Sequence, residues 1–248
     1  MKQPVDRSTL LRFLGITLIN AILFFSAQFY GTSLPIQLRA ISGSDAIVGF
    51  CTALGTVATL IIRPLTGVAV DRFGRAPILF IGALCIALTF GASTIFTSVS
   101  AMLLIRFLYG FAGGATTTAS NTIAADLIPR DRFGEWMGYF TLSQSFAMAI
   151  APSIALSVLE SSGFSVMMYL AAGLVSIVLI LAYFFRQRAV KPVTRQPFMP
   201  YEKSAFRPAI LMLIAAIGIS AAFGFSILYG KSMHFEHVGL YFTLFAGT

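Results

Sequence analysis

The sequence predicts an all-α membrane protein, and three observations carry that prediction. Of the 248 residues, 57% are hydrophobic and only 10% are charged, whereas a soluble domain carries about 25% charged residues. Apolar runs of about 20 residues recur, each long enough to cross a hydrocarbon core of about 30 Å as a helix. The cations, which give a formal net charge of +8, gather on alternate turns. That is the pattern of a chain threaded through a bilayer with its basic loops on one side.

The first segment, 10–32, follows Lys2, Arg7 and Arg12. Its apolar core is too long for a signal peptide and no small-residue cleavage site follows closely, so it reads as an uncleaved first span. Asn20, Phe24 and Gln28 recur at four-residue spacing and so share one helix face. The second segment, 46–68, runs into "GVAVDRFGRAPIL", a compact charged turn at 67–79. Here Gly67 permits close helix approach, Gly74 supplies the positive φ of a short reversal, and Pro77 suits the first turn of the third segment, 78–98.

The fourth segment, 101–125, contains Arg106 within "RFLYGFAGG" and ends near Asp126. An Arg inside a span costs about 2.5–3.5 kcal/mol on insertion scales, so it is expected to face a cavity or partner. Gly110, Gly113 and Gly114 imply a closely packed helix. Asp71 and Asp126 both lie at helix C-termini, where the helix dipole disfavours an anion. Each is therefore expected to be held by a cation, with Arg72, Arg75, Arg130 and Arg132 as local candidates. The fifth and sixth segments, 135–158 and 165–185, complete a six-helix bundle over 1–185. The stretch 186–207 is basic and proline-rich and reads as a cytoplasmic linker. A seventh segment, 208–230, and an apolar run from Gly239 open a further region, 208–248. The run from Gly239 is too short to span, so the sequence is expected to be about half of a longer protein.

With the N-terminus in the cytoplasm, all but three of the 17 Lys and Arg fall on the cytoplasmic side. Arg39 and Lys231 lie in outer loops, and Arg106 lies within a span. Membrane orientation accounts for the basic charge without nucleic acid. The same asymmetry argues against a seven-helix receptor with an external N-terminus. Cys51 and Cys85 fall inside spans without disulfide or metal spacing and read as small packing residues. "HFEH", with His234, Glu236 and His237, reads as a solvated outer loop, and no metal is expected. A nucleotide-binding glycine loop, a nucleophile elbow and a metalloprotease helix motif are all missing from the sequence. It also lacks the paired acids or Ser/His set at one depth that a membrane-embedded enzyme requires. The tetrapeptide "DRFG" occurs at Asp71–Gly74 and Asp131–Gly134, read as a shared solution to tight cytoplasmic turns.

The charged turn resembles the signature of the major facilitator superfamily, Gly-x-Leu-Ala-Asp-Arg-x-Gly-Arg-Lys. Gly67, Asp71, Arg72, Gly74 and Arg75 match it, while Ala69, Val70 and Ala76 depart from it. The fourth segment is similar to the family's Arg-x-x-Gln-Gly, with Arg106 and Gly110 matching and Tyr109 in place of Gln. In the fifth, Gly138, Ala147, Ala151, Pro152 and Ala155 keep the spacing of the exporters' Gly-rich pattern, with Ala at three Gly sites and Leu156 at the last. The resemblance implies a six-helix N-terminal bundle of a major facilitator fold, followed by helix 7 and part of helix 8, in a multi-pass carrier of the cell membrane. It implies that Asp71 latches the two halves through helix 11, that Arg75 pairs with Asp126, and that this switch breaks as the carrier turns inward. It further implies a helix-5 bend packed against helix 8. The implied cavity is lined by Asn20, Phe24, Gln28, Arg106, Tyr109, Asn121 and Gln144, with the Thr116–Thr118 run beside them. The implied activity is export of a small organic solute, driven by the proton gradient without any cofactor. The implied partners are that solute, the lipid bilayer and the second half of the carrier. Segments 1 to 7 carry no Asp or Glu at mid-membrane, so the proton site is left open. Uptake by symport, or a membrane module that does not itself transport, are the alternatives.

Overall fold

The structure, a computed structural model, describes residues 6–186, 206–208 and 210–216. Five long helices occur in order: α1 (Arg7–Ser42), α2 (Asp45–Phe73), α3 (Arg75–Ile95), α4 (Val99–Leu127) and α5 (Phe133–Arg186), with a 3-10 turn at Arg130–Arg132 before α5. All five are long and apolar enough to cross a membrane. Among the described residues there is no strand. α5 is 54 residues long and leaves helical geometry at Gly163, where φ is 81° and ψ 174°. That backbone conformation is open almost only to glycine. It divides α5 into arms 133–162 and 164–186, so all six predicted spans are present. The loop expected between the fifth and sixth is reduced to a kink at one residue.

The other boundaries differ by a turn or more. α1 reaches Ser42 and carries Pro35 in its interior, which a membrane helix tolerates when neighbouring groups satisfy the freed carbonyl. Arg39, expected in the outer loop, is therefore in the last turn of α1. There it pairs with Asp45 at 3.1 Å, both side chains largely exposed, a contact worth little by itself. Arg63, expected with the cytoplasmic cations, lies within α2, ten residues before its end at Phe73.

Packing is pairwise: α1 lies against α5 and α4, α2 against α4, and α3 against α4 and α5. The buried face of α1 runs through Phe13, Ile16, Ile19, Leu23, Tyr30 and Leu34, a three-to-four-residue spacing that keeps one stripe inward. Phe13 meets Trp136 of α5 with ring centroids 4.7 Å apart. The opposite surfaces are apolar as well, with Leu60 70% and Ile95 72% exposed. A helix that is apolar all round belongs in lipid, where no polar outer face is required.

The chain divides into two compact units, Met1–Arg195 and Gln196–Thr248, and the division falls inside the predicted linker. In the second unit a short apolar helix runs over Phe206–Ala216, at the start of the predicted seventh segment. The rest of that segment, the run from Gly239, and His234, Glu236 and His237 lie outside the described residues.

Candidate gate and transport site

The α2–α3 turn is built on Gly74, with φ 91° and ψ 161°. A side chain there would be strained, so the reversal between two long helices takes a single residue. Arg75 then opens α3, and its Nε donates to Asp126 Oδ2 at 2.8 Å. Asp126 is in the last turn of α4, so the contact ties the start of α3 to the end of α4. The Arg75 side chain is 10% exposed and that of Asp126 32%. A charge-assisted bond in such a half-dry setting is stronger than one in open water. This is the Arg75–Asp126 pairing that the resemblance implies.

Asp71 departs from expectation. It is exposed and forms no ion pair among the described residues. At a wetted helix end the dipole acts weakly and is screened by salt, so the acid needs no local cation. Arg72 beside it instead lies over the Phe73 ring, 5.3 Å from the centroid. The second "DRFG" also behaves differently. Asp131 is in the 3-10 turn and Gly134 continues into α5, so only Gly74 uses glycine's conformational freedom.

Arg106 lies in α4, about 10 Å along the axis from Val99. Its guanidinium carbon is 5.6 Å from the Tyr30 ring centroid and 5.4 Å from that of Tyr109. Those two rings are 4.5 Å apart, and Phe90 packs on both. Cation–π contact of this kind is worth about 0.5–2 kcal/mol and offsets part of the burial cost. Room for the cation comes from Gly55, where an added Cβ would lie 2.5 Å from Arg106 Nε. No carboxylate pairs with Arg106 among the described residues. Tyr30, Phe90 and Gly55 were not singled out in the sequence. The available signal was a tyrosine two positions beyond Gln28, at the end of an apolar face.

Some of the expected cavity residues have partners within the bundle. Asn20 is buried, and its Nδ2 donates to Ser143 Oγ at 3.1 Å. It is therefore an α1–α5 clasp, because a buried amide takes the nearest hydroxyl. Tyr109 is occupied by the aromatic cluster. Phe24, Gln28 and Gln144 are half-buried, and Asn121 is exposed. Thr116, Thr117 and Thr118 return their hydroxyl hydrogens to carbonyls of α4 itself, the usual fate of hydroxyls within a helix.

The helix-5 residues differ in burial. Ala147, Ala151 and Ala155 are completely buried. Their small side chains permit close helix packing along this face; helix 8 lies outside the described residues. Gly138 is exposed and open, with nothing within 4 Å of an added Cβ. Pro152 lies inside α5 without non-helical backbone, which occurs only at Gly163. Of the α4 glycines, Gly110 touches α2, since an added Cβ would lie 2.5 Å from Gly55 O. Gly114 likewise touches Ile62, and Gly113 is open. Both cysteines are free, Cys51 buried and Cys85 exposed, so Cys85 is no core-packing residue.

Apolar spans with lipid-like surfaces, stapled at one end by an ion pair, define a multi-pass all-α membrane protein. The chain belongs to the Major Facilitator Superfamily, whose family model matches residues 16–248. It is similar to the agnestins efflux protein of Paecilomyces divaricatus, with 31% identity over 61% of this chain and 35% of that protein. It is also similar to the quinolone resistance protein NorA of Staphylococcus aureus, with 24% identity over 88% of this chain and 54% of the relative. The chain thus spans about half or less of the curated relatives it matches. Among solved structures, a peptide transporter superposes with a TM-score of 0.64 at 18% identity, covering 88% of this chain and 48% of the other. The proton:xylose symporter XylE gives a TM-score of 0.60 at 19% identity over 71% and 44%. At those identities the likeness is one of fold.

Proposed function

We propose that the chain contributes the first bundle of an exporter in the cell membrane. With its N-terminus in the cytoplasm, it works with a second bundle to move a small organic solute outward by alternating access. The carrying observation is the Arg75–Asp126 contact, which fastens α3 to α4 at the end where the charged turn lies. Such a staple makes one end of the bundle a rigid body, as rocking of two bundles against each other requires. Asp71, exposed on the same turn, is left for the second bundle. Efflux is supported by the relatives named for agnestins export and quinolone resistance. Arg106, a cation without a carboxylate among tyrosine rings, supports a solute with an anionic or electron-rich group. The acids of the described spans, Asp45, Asp71, Asp126, Asp131, Glu135 and Glu160, sit at or near helix ends. We place the proton-coupling group outside the described spans.

Inside-out vesicles containing the full-length carrier test this reading. An imposed gradient, acidic inside, should drive accumulation of a fluorescent organic anion, and Arg106→Gln should lower the rate at least tenfold. Accumulation in right-side-out vesicles alone, under an inward proton gradient, makes the protein an uptake symporter and removes the proposal.

A further inference from the structure

Between α2 and α3, floored by α4, runs an apolar groove of about 480 Å³. Leu65, Ala69, Ile81, Cys85, Leu88 and Leu108 are among its walls. Gly82 lets α4 form the floor, since an added Cβ would lie 2.7 Å from Thr116 Cγ2. The volume falls within the range of ligand sites, about 300–1,000 Å³, yet no charged side chain lines it.

Its position on α2 identifies what surrounds it. Successive residues turn by about 100° on a helix, which puts Leu65 and Ala69 on the side of α2 roughly opposite Gly67 and Asp71. On the proposed function's reading of Asp71 as the residue that meets the second bundle, the groove points away from that seam, and its exposed apolar walls, Leu65, Ile81, Leu88 and Leu108, meet lipid. On α3 the lining runs from Ile78 to Thr89, a rise of about 16 Å. That is half of a hydrocarbon core of about 30 Å, the depth of one leaflet. The leaflet is the one at the Gly74 turn, because Ile78 lies three residues inside the start of α3. At that end Arg72 extends the stripe Leu65–Ala69–Arg72 at i, i+4, i+7. It is exposed, and stacking on Phe73 restrains it.

From this geometry we infer that the groove is a binding site for an anionic phospholipid of the leaflet at the Gly74 turn. One acyl chain lies along Ile81, Cys85 and Leu88, and the phosphodiester lies at Arg72. The site is separate from the solute path and does not depend on the direction of transport.

Trp136 is the one tryptophan of these 248 residues. The full-length carrier, with Trp136 and any tryptophan of the second bundle replaced by Phe and with Ile81→Trp added, is placed in phosphatidylcholine vesicles. Phosphatidylglycerol or phosphatidylcholine with brominated chains is then added as quencher. Brominated phosphatidylglycerol should associate about fivefold more strongly, the factor one basic side chain supplies at an anionic surface. Arg72→Gln should bring that ratio to one, and Arg72→Lys should keep it. The same ratio read from Ile177→Trp, an exposed position on the second arm of α5, should be near one. Equal quenching by the two lipids with Arg72 intact overturns the site. So does a preference that survives Arg72→Gln, or one equally strong at Ile177→Trp. Displacement of both lipids by tetraphenylphosphonium without headgroup preference would make the groove a solute port instead.

Discussion

Arg75 and Asp126 join the start of α3 to the end of α4. Each is the other's neutralising charge, and Arg75 is nearly buried. Arg75→Gln or Asp126→Asn strips a charge-assisted bond worth about 1.5–3 kcal/mol and leaves its partner unmatched. In detergent each single variant should melt several degrees lower. The double variant should lose less than the two separately, with a coupling above about 0.5 kcal/mol. Strict additivity would mean that the contact carries no stability. Asp71→Asn is the counterpart. That side chain is exposed and unpaired among the described residues, so in the 248-residue chain its melting should stay within about 0.5 kcal/mol of the parent. At this scale the sequence was legible where a motif encodes a contact, as Arg75 and Asp126 do. It was not legible for Asn20, because nothing in its own segment announces Ser143, 123 positions away, as its partner.

At the scale of elements, α2 and α4 meet through backbone. Gly110 sits so close to Gly55 O that a side chain has no room, and Thr59 Oγ1 donates to Gly110 O at 3.0 Å across the contact. Gly110→Leu must push the helices apart, at a cost of at least the 1–3 kcal/mol (about) typical of overpacking. It should abolish the monodisperse peak in detergent chromatography. Gly113→Ala is the control on the same helix. Its Cβ meets nothing within 4 Å, and Ala is about 1 kcal/mol better than Gly in a helix, so melting should hold or rise. A tolerated Gly110→Leu would show that the helices slide freely. The glycine pattern of α4 was readable as close packing, but not which glycine touches what, since helix azimuth is set by partners elsewhere in the chain. Apolar runs likewise gave the six spans and missed their ends. A helix in lipid continues past its apolar stretch as long as its backbone bonds are satisfied, which is how α1 takes in Arg39 and α5 runs through the expected loop.

At the scale of the whole molecule, orientation rests on charge. The turn at Gly43–Ser44, between α1 and α2, and the turn at 96–98, between α3 and α4, lie at the ends opposite the Gly74 turn and Arg130–Arg132. Basic residues concentrate at the latter ends, with Arg72, Arg75, Arg130 and Arg132, while Arg39 alone marks the former among the described turns. Retention of cationic turns in the cytoplasm then dictates which thiols an impermeant reagent can reach. In intact cells carrying the 248-residue chain with Cys51→Ala and Cys85→Ala, a thiol at Ser44→Cys or Ser98→Cys should react with a charged maleimide added outside. Arg130→Cys should react only after the membrane is opened. The substitution at Arg130 removes one cation of the four at those turns, so the bias that sets orientation persists. Neither background cysteine carries a bond that the fold requires, so the double alanine parent should insert normally. Labelling of Arg130→Cys from outside would invert the topology. It would carry the Arg75–Asp126 staple to the external face and turn the gate assigned to the cytoplasm into an outer one.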